Sequence, residues 1–290
     1  MVAPRVWLGR RPRCAVCHPP GMGRSSFQVA PFRRERHDVV DALEVGVRRH
    51  MVHALLELDV TEAHRLVRDH APSPGERLSF TAFLVSSLAR AIDSDRRLHA
   101  YRDWRGRLVL FDEVDVVTLI EPGAGAVAIP HVIRGANRRT VDEIHREIRA
   151  VQAAPSSSVQ RSGRLARLSV FTPGLLRRLF LRVLRRSPHR LKAVAGTTLL
   201  TSVGMFGAGA GWAIGIVPLH TLCLTVGGVS TRPSVVEGRI EPRELLPVTA
   251  SFDHDVVDGA PAARFARRLR EVVEGAEVLR ERPAQPPATG

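Results

Sequence analysis

The sequence predicts an α/β fold in which helices pack on a β-sheet, and three local patterns support this fold class. Residues 54–60 are typical of a strand and residues 61–69 of the short helix that follows it. Residues 78–92 place apolar side chains at the three- and four-residue spacing of a core-facing helix. Thr140 and Glu143 form a capping box, which predicts a helix through about residue 151.

The second half of the chain continues this alternation around a glycine-rich loop. Residues 193–231 carry no charged side chain if histidine is counted as neutral. Glycines interrupt this apolar stretch repeatedly, so it favours buried strands at 197–203 and 222–226 over a membrane-spanning helix. A strand at 246–252 and a final helix from about residue 260 complete the pattern.

The domain organisation follows from shifts in composition. We expect residues 1–30 to be a basic disordered extension and residues 31–278 to form one domain. Within that domain, residues 155–192 form an arginine-rich, divergent insertion. Residues 279–290 are rich in proline and predict a disordered tail.

The net charge of +14 does not by itself predict nucleic-acid binding. Its cationic side chains are almost all arginines, since Lys192 is the only lysine, which is as typical of codon bias as of a binding face. Aromatic residues make up only 5% of the chain, and no basic stripe is interleaved with stacking residues. The few cysteines and the absence of an apolar signal peptide lead us to expect a cytoplasmic protein.

An amphipathic helix is predicted at 172–186, inside the insertion. Its apolar residues are Leu175, Leu176, Leu179, Phe180, Val183 and Leu184, and its basic residues are Arg177, Arg178, Arg182, Arg185 and Arg186. We expect it to pack on the domain, with contact to an anionic membrane surface or an acidic partner as the alternatives.

Two further patterns carry less weight. Cys14-x-x-Cys17-His18 has the spacing of a c-type haem attachment site, but haem attachment requires export and a zinc site would need a fourth ligand. We interpret it as a chance match and expect no metal site. Cys223 lies in an apolar strand and is typical of core packing.

The segment that points to chemistry is Ser251 to Gly259, where His254 lies in an acid-rich turn between a strand and a helix. Turns held between rigid elements often carry catalytic groups. An exposed loop histidine without function is the plain alternative. Free imidazole, with a pKa of about 6.5, lies about two units below a thiol, a gap that an active site can offset.

This segment resembles a known family. Asp253-His254-x-x-x-Asp258-Gly259 is similar to the H-x-x-x-D-G signature of chloramphenicol acetyltransferases and of the catalytic domains of 2-oxo acid dehydrogenase dihydrolipoamide acyltransferases. The resemblance runs in the same order through 78–91, 127–133, 196–207 and 226–238. Several ordered motifs make it specific.

The resemblance implies a chloramphenicol acetyltransferase-like two-layer fold, with a mixed sheet packed by helices, in a homotrimer. The domain at 31–278 would be a transferase that moves an acyl group between coenzyme A and a thiol acceptor such as dihydrolipoamide. His254 would be the general base, Ser202 of a neighbouring subunit would stabilise the oxyanion, and Asp258 would hold the loop. A lipoyl domain would act in trans, because this sequence lacks the lipoylation hairpin. The resemblance does not identify the residues that bind coenzyme A.

The sequence also departs from the family pattern. Val203 replaces an asparagine, and Asp255 follows the histidine where arginine is common. Arg33, Arg34 and Arg36 lie near the position of the family's arginine motif, so the arginine partner of Asp258 is unassigned. These departures leave two alternatives, a non-catalytic trimeric scaffold that binds a partner and an acetyltransferase acting on the oxygen or nitrogen of a small molecule.

Overall fold

A computed structural model describes residues 37, 40, 41, 43, 44, 49–70, 76–121, 129–154, 174–202, 211–217 and 219–281. The predicted extension at 1–30 and the Cys14–His18 motif lie outside these residues. So do 155–173 of the predicted insertion and most of the loop at 203–210.

A seven-stranded mixed sheet forms the centre of the domain. Its strands run in the order β1-β9-β7-β6-β4-β5, with β8 paired to β9. β6 runs parallel to both β4 and β7, and the other pairs in this sheet are antiparallel. The strands are β1 (Met51–Asp59), β2 (Tyr101–Arg102), β3 (Leu108–Val109), β4 (Val116–Ile120), β5 (Ile129–Ile133), β6 (Thr198–Ser202), β7 (Leu222–Val226), β8 (Ser230–Val236) and β9 (Arg239–Asp253), where β2 and β3 form a separate hairpin.

Helices cover the sheet and confirm the predicted α/β class with a mixed sheet packed by helices. They are α1 (Thr61–Asp69), α2 (Phe80–Asp93), α3 (Val141–Ala153), α4 (Gly174–Arg185), α5 (Pro188–Ala195), α6 (Gly259–Glu274) and α7 (Glu277–Arg280), with 3-10 turns at Arg96–His99 and Ala136–Arg138. The apolar helix α2 is buried along most of its length, between α3 and α6. α6 packs on β1 and α3 on β4, so the helices share their core with the sheet.

The capping box of α3 forms as its sequence signature predicts. The Glu143 amide donates to Thr140 Oγ1 at 3.3 Å, and the Thr140 amide donates to the Glu143 carboxylate at 2.9 Å. Each side chain satisfies a backbone group that the first turn of a helix leaves without a partner.

Some predicted boundaries were wrong. Pro188 does not end the helical segment; it opens α5 at its first turn, where proline lacks no hydrogen bond that the helix needs. β9 begins at Arg239 rather than 246, because its charged first half pairs with β8 in a hairpin and lacks an apolar run. Helix α7 extends to Arg280, two residues beyond the predicted domain boundary at 278.

The amphipathic helix α4 forms, but its apolar face is not covered. Only Leu184 is buried, in a small cluster with Tyr101, Phe111 and Leu191. The other large apolar side chains are exposed, namely Leu175, Leu176, Leu179, Phe180 and Val183. The expectation that this face packs on the domain is therefore wrong for the described residues. None of the helices described here has both the length and the apolar character needed to cross a bilayer.

Candidate active site

β9 delivers His254 to the edge of the sheet. The strand pairs with β1 as far as Met51 opposite Asp253. One further hydrogen bond, from the His254 amide to the His50 carbonyl at 2.8 Å, extends this pairing to the histidine itself. The backbone of His254 is thus fixed by the sheet, while its side chain remains 46% exposed.

A tight turn follows His254 and depends on Asp253. The Asp253 carbonyl accepts hydrogen bonds from the amides of Val256 (3.0 Å) and Val257 (2.9 Å). Its carboxylate also accepts a hydrogen bond from the Asp255 amide at 3.2 Å. The strand therefore reverses direction over a few residues and leads directly into α6.

A buried arginine anchors this turn from below. Arg49 Nη1 lies 3.1 Å from Asp253 Oδ2, and both side chains are more than nine-tenths buried. The same guanidinium donates to the carbonyls of Leu219, at 2.7 Å, and His220. It thus ties the end of β9 to the segment that leads into β7.

His50 holds the turn from the outside. Its Nδ1 lies 2.9 Å from Asp255 Oδ1, and this hydrogen bond raises the pKa of His50 and lowers that of Asp255. His50 is exposed, whereas Arg49 is buried, so the two adjacent residues grip the turn through one buried and one solvent-screened contact.

Asp258 lies close to His254 but is not locked to it. Its Oδ1 is 4.0 Å from His254 Nδ1, and its carboxylate is 84% exposed. Asp258 occupies the N-cap position of α6, and its side chain makes no capping hydrogen bond. In the described part of the chain no arginine forms an ion pair with Asp258.

Ser202, the third predicted site residue, is the last residue of β6. It lies opposite Val226 of β7, which in turn lies opposite Val248 of β9. Val248 precedes His254 by six residues. At about 3.3 Å per residue, Ser202 and His254 are therefore separated by about 20 Å along the strands. One chain does not bring the two side chains together.

Close backbone packing characterises the Ser202 end of the sheet. The segment 211–217 returns past the end of β7, where Gly211 forms a bridge with Gly228. The Gly215 amide donates to Thr225 Oγ1 at 3.1 Å. A Cβ on Gly215 would approach that same oxygen to 2.5 Å, so glycine is required for this contact.

Sequence reasoning missed Arg49 and His50. The arginines considered instead, Arg33, Arg34 and Arg36, lie outside the described residues. The available signal was position, because Arg49 and His50 immediately precede β1. Pairing of β1 with the end of β9 was not predictable from either segment alone.

This mixed sheet, with a histidine turn at one end and a serine at the other, defines the acyltransferase class of α/β folds. The dihydrolipoamide acetyltransferase of Azotobacter vinelandii has a similar solved structure, with a TM-score of 0.67 and 19% identity over 90% of this chain and 99% of that one. At this identity the likeness establishes the fold.

Sequence comparison gives the family. Residues 182–280 match the profile of the 2-oxoacid dehydrogenases acyltransferase (catalytic domain) and belong to that family, which confirms the resemblance drawn from the motifs. The matched segment includes Ser202, His254 and Asp258.

Two curated relatives support the assignment over a longer stretch. The dihydrolipoyllysine-residue acetyltransferase component of the pyruvate dehydrogenase complex of Mycoplasma capricolum is 22% identical over 73% of this chain and 42% of its own length. The lipoamide acyltransferase component of the branched-chain alpha-keto acid dehydrogenase complex of Pseudomonas putida is 27% identical over 75% and 45%. The chain spans less than half of each relative.

Proposed function

We propose that this protein is an acyltransferase that moves an acyl group between coenzyme A and a thiol acceptor, with each active site formed by two copies of the chain. His254 of one copy is the general base, and Ser202 of its neighbour donates a hydrogen bond to the oxyanion. A homotrimer provides this arrangement in a closed ring.

The register of the central sheet carries the proposal. It separates Ser202 from His254 within one chain by about 20 Å, too far for one substrate carbonyl to contact both. Both residues nonetheless occupy strand ends, where a neighbouring copy can reach them. Two complementary halves on one chain are typical of a site completed between subunits.

The reaction follows from the position of the imidazole. Since Nδ1 of His254 faces Asp258, Nε2 is the nitrogen that remains to accept the thiol proton. The thiolate sulfur attacks the thioester carbonyl, and the Ser202 hydroxyl stabilises the resulting oxyanion. Collapse breaks the original carbon–sulfur bond, and the departing thiolate recovers the proton from His254.

The thiol acceptor is a dihydrolipoamide-like group supplied by another protein. The names of the two relatives describe dihydrolipoyllysine-residue and lipoamide acyltransferases. In the Azotobacter vinelandii enzyme, a serine and a histidine have been investigated for their role in the catalytic mechanism. A lipoyl domain acting in trans is therefore the acceptor that we favour.

The test is acetyl-CoA turnover with dihydrolipoamide as acceptor. We expect His254→Ala to lower the turnover number by about 10²–10⁴-fold, the usual contribution of a general base. His189→Ala is the matched control, because His189 is an exposed histidine on α5 with no part in the proposed site. Equal rates for the wild type and His254→Ala would refute the proposal.

A non-catalytic role is the second candidate, because five large apolar side chains of α4 are exposed. A basic amphipathic helix of this kind binds anionic membrane surfaces. Sedimentation with vesicles containing phosphatidylserine would test it. Loss of sedimentation in Leu175→Asp, together with no measurable coenzyme A binding by calorimetry, would favour this role over catalysis.

A further inference from the structure

A cleft of about 400 Å³ lies beside the turn that carries His254. Its walls come from the β2–β3 hairpin, the α4–α5 segment and the turn itself, which contributes Asp253 and Asp255 on either side of His254. Tyr101 and Leu191, from the small apolar cluster, also line it.

The carboxylates that line the cleft already have cationic partners. Asp253 pairs with Arg49, and Asp255 with His50. Asp103 pairs with Arg107 and accepts hydrogen bonds from two backbone amides of its own hairpin. Their negative charge is thus largely compensated before the remaining arginines of the cleft are considered.

Arg182 and Arg186 are different. Both are exposed side chains of the α4–α5 segment that line the cleft, and neither has a carboxylate partner anywhere in the described residues. Arg178, on the same helix, is paired with Asp41 and Glu44 and lies outside the cleft lining. The helix therefore directs two uncompensated guanidinium groups to a concave surface, a geometry suited to phosphate oxygens.

Trp104 supplies a second feature at the same cleft. The hairpin presents its indole with 67% of its surface exposed, which is costly for a large apolar side chain without a ligand. The neighbouring Arg102 also lines the cleft and lies 3.9 Å from Asp255. An exposed indole beside arginines is a platform on which a nucleobase can stack.

We infer that this cleft binds the nucleotide end of the acyl donor, with Arg182 and Arg186 contacting its phosphates and Trp104 stacking on its base. The inference rests on the proposed acyl transfer and identifies where the donor is held. It selects coenzyme A, which carries a phosphorylated nucleotide, over a phosphopantetheine arm on a carrier protein, which carries phosphate without a base.

Binding of adenosine 3′,5′-bisphosphate, followed by calorimetry, tests the site without turnover. We expect Arg182→Gln/Arg186→Gln to weaken binding by about 10- to 100-fold, since two charge-assisted contacts are lost. Arg190→Gln, an exposed arginine of α5 outside the cleft lining, should leave binding unchanged. Because both altered arginines are exposed, circular dichroism should show an intact fold. Equal binding by the wild type and the double variant would overturn the inference.

Two further ligands identify the source of the phosphate. We expect Trp104→Ala to weaken adenosine 3′,5′-bisphosphate but not inorganic pyrophosphate. If 4′-phosphopantetheine binds as tightly as coenzyme A, the assignment to a nucleotide is wrong.

Turnover separates this inference from the proposed function. The double variant should raise the KM for acetyl-CoA about 10-fold and leave S-acetylpantetheine, which has no phosphate, unaffected. An equal effect on both donors would contradict a phosphate site. If the wild type turns over no donor and the double variant still loses nucleotide binding, the proposed function fails and the nucleotide site stands.

Discussion

The two ends of the central sheet differ in how much of their geometry one chain supplies. At the His254 end, β9, Arg49 and His50 hold the turn through a backbone hydrogen bond and two ion pairs. At the other end, Ser202 closes β6, and its hydroxyl makes no hydrogen bond with another described side chain or backbone group. The base is thus positioned by its own chain, whereas the oxyanion donor awaits a partner.

This contrast separates two kinds of constraint. Groups that fix His254 belong to the folding of the monomer, so removing them should reduce stability as well as activity. A substitution at Ser202 removes a partly exposed hydroxyl and should change activity alone. The following predictions test that difference, from the largest expected effect to the smallest.

Mixing two inactive variants gives the largest effect. His254→Ala and Ser202→Ala should each reduce acyl transfer by about 100-fold or more. When the two are unfolded and refolded together in equal amounts, about a quarter of the sites in random trimers join an intact histidine to an intact serine. We therefore expect the mixture to recover about a quarter of the wild-type turnover.

The control is each variant refolded alone, which should remain inactive. No recovery in the mixture, with trimers verified by sedimentation, would show that the site does not combine residues of two copies.

Arg49→Met should strongly destabilise the fold. It leaves the Asp253 carboxylate buried without its cation and removes a donor from the carbonyls of Leu219 and His220. Loss of one partner of a buried pair costs about 3–5 kcal/mol, which urea denaturation would measure. Arg49→Met/Asp253→Leu should recover part of that loss, because no uncompensated charge remains. A loss below about 1 kcal/mol would mean that the pair does not anchor the turn.

Acid should destabilise the same region through His220. Burial lowers the pKa of its ring to about 4, while the ring in the unfolded chain titrates near 6.5. Below pH 6.5 the unfolded state binds a proton that the folded state does not, so stability falls as the pH drops toward 4. Between about pH 7 and 5 this amounts to about 2 kcal/mol.

Urea denaturation of His220→Gln at both pH values checks the assignment. Glutamine does not titrate and retains a donor for the Ala195 carbonyl, which His220 Nε2 contacts at 2.6 Å. We expect a weaker pH dependence in the variant than in the wild type. An unchanged slope would assign the acid sensitivity to other groups, such as buried His99, whose pKa burial also lowers to about 4.

Thr140→Ala provides the smallest effect and a remote comparison. Loss of the capping box should destabilise the protein by about 1 kcal/mol, since the Glu143 amide loses its acceptor. Activity per folded molecule should not change, because α3 contacts neither end of the proposed site. Thr140→Ser keeps the hydroxyl and should retain most of the stability. A loss of turnover in Thr140→Ala at a temperature where it is folded would contradict this independence.

Local patterns explain which elements the sequence predicts well. The helix after Thr140 and the short helix at 61–69 depend on residues within a few positions of one another, and both form as expected. The charged first half of β9 was missed because its strand character comes from pairing with β8 rather than from an apolar alternation. The exposed face of α4 could not be predicted either, since an amphipathic pattern does not show what covers its apolar side.

By itself the sequence determined the α/β class, the family motifs and the residues His254, Ser202 and Asp258, because each depends on residue type within a short segment. Only the tertiary structure placed Arg49, which lies 171 residues from the His220 carbonyl that it contacts, beneath the His254 turn. The structure alone also put His254 and Ser202 at opposite ends of one sheet. Strand register decides both, and it depends on which distant segments pair, a property that no single segment contains.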